Sequence, residues 1–324
     1  MKQKRKKKET FFSKLMNALI TFGLSGIMIY GLQCYSASDL KFVQLSDVHF
    51  SDAGVNTTFK MTGESPKLLE DAVKQINAIP DLNFVMLTGD QINVPYEKQL
   101  RAFLNYAEKL NAPWYVAFGN HDRCVGGYLT TQLYLDIVGN HNENFKFKTP
   151  YYSFEPRKGY KVIVLDSVIT DRVTSNGRIS DEELVWLDKQ LKEAGKDVVL
   201  IFMHVPVIEP FPSSGHRLLN AGEVQGIIEK YKNPIAVFAG HYHAAKITQN
   251  GNVLYVASPA LVSYPNAFRI VTVRNERKKV VFNIEMRETG EKNIQKLAKL
   301  LVFGSNVYMG EEKDRNGIYE IKKN

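Results

Sequence analysis

The chain has 324 residues, 44% hydrophobic and 23% charged, which is enough for one large or two average domains and excludes a disordered or low-complexity protein. Its formal net charge of +8 is concentrated at one end. Residues 1–38 hold seven Lys/Arg against Glu9 alone, a net of +6 that leaves +2 for residues 39–324, so the body lacks the electrostatic footprint of a nucleic-acid binder.

In chain order, the first element is a basic head, residues 1–14. It is followed by LMNALITFGLSGIMIYGLQCYSAS, residues 15–38, with no charged residue between Lys14 and Asp39. Roughly 20 helical residues cross a bilayer core, so this segment reads as a transmembrane or signal helix. A buried core helix fits poorly, because both faces would need cover and the basic flank has no partner. The positive-inside rule then keeps the Lys cluster cytoplasmic and places the body on the other side. The expectation is a single-pass protein of the cell membrane with an extracytoplasmic body, or an exported one if cleavage follows Ser38. An uncleaved anchor is favoured, since the apolar stretch is longer than a usual signal core. Gln33 stands before Cys34 where acylation calls for a small residue, and with Cys124 as the only other cysteine no disulfide framework exists.

From Leu40 the chain alternates apolar β-type runs with amphipathic helical stretches, the pattern of an α/β domain with buried strands. The runs are LKFVQLSD (40–47), NFVMLTGD (83–90), PWYVAFGNHD (113–122), KVIVLDS (161–167), DVVLIFMH (197–204) and PIAVFAGHYH (234–243). Between them, Ser65 and Pro66 start a helix whose Leu68, Leu69, Ala72, Val73, Ile76 and Ile79 share a face. Ser180 and Glu183 form a capping-box pattern before Leu184, Leu187 and Leu191, with a stop at Gly195. NVLYVASP, FRIVTV and KVVFNIEM read as further strands, the last two a hairpin around 274–279. The predicted domain is 39–286, followed by a helical and short-strand tail, 287–324, with Ile294, Leu297 and Leu301 at helical spacing.

Nearly every run ends in polar residues, and in open α/β sheets ligands bind at the carboxyl ends of strands. Five of the seven histidines (His49, His121, His204, His241 and His243) fall at such ends, as do Asp47, Asp90, Asn120 and Asp122. His241 and His243 are two apart, so in an extended segment both imidazoles face one centre. Carboxylate, imidazole and carboxamide without thiolate suit Mn, Fe, Zn, Co or Ni, and the cluster is rich enough for two ions. A second Gly-Asn-His at 139–141 lacks a following Asp and runs into a polar loop, so His141 reads as loop decoration. His216 and Arg123 read as exposed loop residues.

In this order, DVH, GD, GNHD, His204 in FMHVP and GHYH resemble the signature of calcineurin-like metallophosphoesterases. The resemblance covers about residues 40–275 and implies a β-sandwich flanked by helices. It also implies one metal ion held by Asp47, His49, Asp90 and His243, and a second by Asp90, Asn120, His204 and His241, with Asp90 bridging. Two such ions, expected as Mn, Fe or Zn, supply a hydroxide that attacks phosphorus and clamp the phosphoryl oxygens. His121 is then expected as general acid or phosphate contact, with Asp122 orienting its imidazole.

Purple acid phosphatases carry a Tyr where this chain has Asn93, and protein Ser/Thr phosphatases follow GD with a D-R-G run where this chain has Asn93, Val94 and Pro95. What remains is similar to the bacterial group that includes class III cyclic-nucleotide phosphodiesterases, and implies a small phosphodiester as substrate. The alternatives are an extracytoplasmic phosphomonoesterase or pyrophosphatase acting on lipid or cell-envelope phosphates and, more distantly, a metal-free scaffold for protein partners.

Overall fold

The computed structural model describes residues 39–123 and 128–323. The basic head, the expected anchor with Cys34, and Cys124 lie outside the described residues. Among the described residues, no helix is long and apolar enough to cross a membrane.

Two six-stranded mixed sheets form the body. The first contains β1 (Leu40–Leu45), β2 (Phe84–Thr88), β3 (Trp114–Ala117), β10 (Ala267–Asn275), β11 (Lys279–Glu288) and β12 (Gly317–Lys322), in the order β12-β11-β10-β1-β2-β3. The second contains β4 (Tyr152–Arg157), β5 (Tyr160–Val164), β6 (Val198–Phe202), β7 (Ile235–Ala239), β8 (Lys246–Asn250) and β9 (Val253–Ala257), in the order β4-β5-β6-β7-β9-β8. β1, β2 and β3 run parallel, as do β5, β6, β7 and β9. These strands are covered on both faces, which is why they read as unbroken apolar runs. Their shared direction also brings their carboxyl ends to one side.

Aromatic rings fill the space between the sheets. Phe42 stacks on Phe84 with centroids 5.0 Å apart and meets Phe202 and Phe238 edge-on at 5.4 and 5.2 Å. Helices α1 (Ser65–Asn77), α2 (Glu97–Ala107) and α3 (Thr131–His141) bury Leu69, Val73, Leu100, Phe103 and Leu135 in the same core. Helices α4 (Asp181–Glu193) and α5 (Ala221–Glu229) bury Leu187, Leu191, Val224 and Ile228 against Val199, Ile201 and Val237 in a second cluster. A polar seam also joins the sheets: Gln44 Nε2 donates to the Ala239 carbonyl at 3.2 Å, and Ser258 Oγ donates to Gln44 Oε1. The fully buried Arg269 donates through NH2 to the Ala257 carbonyl at 2.8 Å, and burial pulls its guanidinium down to about 10.

The sandwich flanked by helices agrees with the sequence reading, with instructive departures. Strands β4 and β8 escaped prediction because both are edges, half-exposed and mixed in composition, and β4 contains Pro156 and a register irregularity. The capping box at Ser180 is only half formed. Ser180 Oγ accepts from the Glu183 N–H at 3.2 Å, but the Glu183 carboxylate accepts from the Asp166 N–H at 2.7 Å instead of reaching back. Strand β11 runs through Glu288, across the expected boundary at 286, and β12 pairs with it, so the tail completes the first sheet. Beyond β11, α6 (Lys292–Leu301) buries Ile294 and Ala298 in the main core.

Phe42→Ala is expected to lower the unfolding free energy by about 3–5 kcal/mol in urea titrations. Val185→Ala, on the exposed face of α4, should stay within about 0.5 kcal/mol of the parent.

Candidate metal centre

The backbone where the central strands end is unusual. Seven non-glycine residues among those described adopt left-handed φ, and five of them are Asp47 (53°), His49 (42°), Asp90 (52°), His241 (71°) and His243 (56°). Such conformations cost free energy for side chains with a Cβ and concentrate where function over-determines the backbone. They turn the ligand side chains inward, and neighbouring glycines make room. A Cβ on Gly240 would collide with Ser46 Oγ and the Asp47 carboxylate, and one on Gly119 with Asp90.

The side chains gather into overlapping trios whose ligand atoms lie within 4.8 Å of one another: Asp47, His49 and His243; His49, Asp90 and His121; Asp90, His204 and His241. Asn120 joins the last, its Oδ1 lying 3.2 Å from His204 Nε2. All seven residues expected as ligands are therefore brought to one place, His141 is not, and Asp90 lies between the two ends. Asp47, His49 and His204 are wholly buried, and Asp90, His241 and His243 nearly so.

Outer partners fix how the imidazoles point. His204 Nδ1–H donates to the Thr88 carbonyl at 2.9 Å, and His243 Nδ1 lies 2.8 Å from Ser263 Oγ, so in both rings Nε2 faces the centre. Burial holds His49, His241 and His243 below the ordinary imidazole range, in the neutral form that binds metal, with the Lys60 charge adding to the effect at His49 and His243. Burial also opposes charge on His204, but Asp90 outweighs it and raises that ring to about 9. Burial would raise both Asp47 and Asp90, yet facing imidazoles hold them below the usual carboxylate range, chiefly His243 at Asp47 and His204 at Asp90.

These residues fit a metal. The Nε2 atoms of His49 and His241 are buried without an aligned hydrogen-bond partner, although His49 Nε2 lies 3.2 Å from Asp90 Oδ2. His241 Nδ1 and His204 Nε2 approach to 3.1 Å, which brings two imidazole nitrogens to the place where one cation would meet both.

Asp122 does not orient His121. It is fully buried, and its two oxygens accept from the backbone N–H groups of Ile92 (3.1 Å) and Gly119 (2.8 Å), tying together the loops after β2 and β3. Burial, then the Asp90 charge, push its carboxyl up to about 8. The partner of His121 Nδ1 is the Asn93 carbonyl at 2.7 Å, and the His121 N–H donates to Asp90 Oδ1 at 2.8 Å. Arg123 is likewise not exposed. It pairs with Asp166, donates to Thr131 Oγ1 at 2.8 Å and lies 4.1 Å from the Phe118 ring centroid. His216 is exposed, but its ring centroid is 5.3 Å from that of His241.

Lys60 was missed. Its Nζ sits 3.2 Å from His121 Nε2 and 3.4 Å from His49 Nδ1, and burial lowers its pKa. A lysine in the polar loop 51–64 carries no sequence signal. Ser263, in the loop after β9, carried none either.

Paired carboxylates and imidazoles at the carboxyl ends of a helix-flanked β-sandwich define the class of metal-dependent phosphoester hydrolases. The family model for calcineurin-like phosphoesterases matches residues 40–245, and the chain belongs to that family. It is 26% identical to the probable glycerophosphodiester phosphodiesterase GpdQ of Arcobacter nitrofigilis, over 67% of this chain and 78% of that one. It is also 26% identical to a 3′,5′-cyclic-nucleotide phosphodiesterase of Nostoc (68% and 78%), and 27% identical to a manganese-dependent ADP-ribose/CDP-alcohol diphosphatase of Arabidopsis thaliana (62% and 79%). The chain is thus a hydrolase similar to class III bacterial phosphodiesterases.

Two substitutions test the construction of the centre. Gly240→Ala should stay folded by circular dichroism yet take up far less added Mn²⁺ than the parent by elemental analysis. Asp122→Ala should cost about 2 kcal/mol in denaturant titration, because it strands two buried N–H groups. Unchanged stability in the second would return Asp122 to a role at His121.

Proposed function

We propose that the chain hydrolyses a small phosphodiester with two divalent ions, one held by Asp47, His49, Asp90 and His243 and the other by Asp90, Asn120, His204 and His241. The observation that carries this reading is a ligand cluster bordered by two separate cavities, one reaching Asn120 and the other His241. One cavity, about 390 Å³, is lined by Asn93, Asn120, His121, Arg123, Arg172 and Thr174. The other, about 350 Å³, reaches His241 and Tyr242. A diester has two substituents on phosphorus and can fill both, whereas a monoester has one. Bound there, the ions would lower the pKa of a water and offset the charge on the phosphoryl oxygens.

The chain's own groups complete the chemistry. His121, with Nδ1–H held by the Asn93 carbonyl, presents Nε2 toward the centre as the atom that passes a proton to the leaving oxygen. Lys60 Nζ, beside that nitrogen, is placed to meet a phosphoryl oxygen with a charge-assisted hydrogen bond. The choice among Mn, Fe and Zn rests on ligand chemistry, with manganese favoured by the diphosphatase relative. That relative also supports a second reading, cleavage of a diphosphate diester, which likewise carries two substituents. Residues 15–38 would anchor the chain in the membrane with the body outside, a proposal that rests on apolar length and flanking charge.

The test is turnover by the metal-stripped full chain after addition of Mn²⁺, Fe²⁺ or Zn²⁺. Bis-p-nitrophenyl phosphate is expected to turn over faster than p-nitrophenyl phosphate, with about two ions bound per chain. Preference for the monoester would overturn the substrate class, and a single ion would overturn the two-ion centre. On a diester with a poor leaving group, His121→Ala should retain metal and lose about 10²–10⁴-fold in kcat. Lys60→Gln should lose about 10-fold in kcat/KM. Turnover equal to the parent would remove either residue from the reaction.

A further inference from the structure

The second cavity has walls unlike the first. Phe59, Phe211, Tyr242 and Tyr308 line it, with Ser213 and His216 at its polar side. Phe59 stacks against the His243 ring at 5.0 Å and 13°, so one wall is continuous with the metal centre. Phe59 and Phe211 lie 5.3 and 6.0 Å from Tyr308, and Phe211 meets Tyr242 edge-on at 5.1 Å. Phe59, Phe211 and Tyr308 are only half-buried, leaving aromatic surface open beside the centre.

Tyr308 comes from α7 (Ser305–Met309), more than sixty residues beyond the end of the family match at 245. Its position is fixed by backbone and charge. The Ala245 N–H, two residues after His243, donates to the Tyr308 carbonyl at 2.9 Å. Gly310, at φ 67°, packs so closely on the Ala245 carbonyl that a Cβ would collide with it. Asp314, in α8 (Glu312–Arg315), is 1% exposed and accepts from the Ile247 N–H at 2.9 Å. The C-terminal segment is therefore clamped onto the stretch that follows the last two metal-binding histidines.

We infer that this segment completes a specificity pocket for a planar aromatic substituent that stays on phosphorus during hydrolysis. The inference rests on the phosphodiesterase reading above. The ring-lined cavity takes the retained group because His121, which serves the leaving oxygen, lines the other one. Ring faces and edges set at steep angles receive a flat π-system by stacking and edge contact, and favour it over an aliphatic group of similar size. Ser213 Oγ and His216 Nδ1, 3.0 Å apart, provide hydrogen-bonding groups for a polar edge of such a ring.

The experiment compares p-nitrophenyl esters of phenyl-, methyl- and octylphosphonate, which share a leaving group and differ only in the group retained. Each variant's phenyl-to-methyl ratio of kcat/KM is divided by that of the parent. Tyr308→Ala and Phe211→Ala are expected to lower the ratio about 10-fold, and Tyr308→Phe to restore it. Equal losses on the phenyl and methyl esters, or an octyl ester preferred to phenyl by the parent, would overturn the aromatic pocket. Calorimetry of phenylphosphonate and methylphosphonate binding to the full chain supplied with Mn²⁺ reads the pocket without turnover. A phenyl advantage that Tyr308→Ala abolishes supports the pocket even if no ester is hydrolysed, an outcome that would sink the phosphodiesterase reading alone. No phenyl advantage in binding would sink the pocket itself.

Discussion

Two buried carboxylates, Asp47 and Asp90, sit just past the ends of neighbouring parallel strands, and the surrounding structure compensates their charge. A carboxylate taken wholly out of water costs several kcal/mol unless hydrogen bonds and opposite charge replace the lost solvation. Ser46 Oγ donates to Asp47 at 2.6 Å, and the His241 N–H is shared between both Asp47 oxygens at 3.1 Å each. Asp90 receives the His121 N–H and faces the His49 and His204 rings. These donors arrive from both sheets, so the centre exists only where the sandwich closes. The Gln44, Ser258 and Arg269 seam holds that closure beneath it.

The spacing of polar residues after apolar runs made most of this centre legible before any geometry was known. Parallel strands covered on both faces leave a strong apolar signature, and whatever follows the run must lie at one end of the sheet. Asp47, His49, Asp90, Asn120, His204, His241 and His243 could all be placed by that logic. Asp122 shows its limit. Adjacency to His121 suggested a hydrogen bond that the loop does not make, because the His121 ring turns its Nδ1 to the Asn93 carbonyl while the Asp122 oxygens face the Ile92 and Gly119 N–H groups. Sequence neighbours at the end of a strand point different ways.

The rest was illegible for a different reason. Lys60, Ser263 and Tyr308 lie on loops or the tail, where neither periodicity nor an apolar run marks a position, and their roles come from contacts distant in sequence. The edge strands β4 and β8 were hidden because one side of each faces solvent, which dilutes the alternation that identifies a strand. The tail reads as an appendage in one dimension, yet β12 closes one edge of the first sheet and α7 stands beside the candidate metal-binding histidines.

Five of the candidate ligands hold left-handed backbone conformations that their side chains disfavour, and all five are buried. A cation that engages only this arrangement would raise the folded population by mass action, in proportion to its free concentration. The supply of divalent ions in the chain's compartment would then set the enzyme's working rate and also how many molecules escape unfolding and proteolysis, making abundance itself a readout of metal availability.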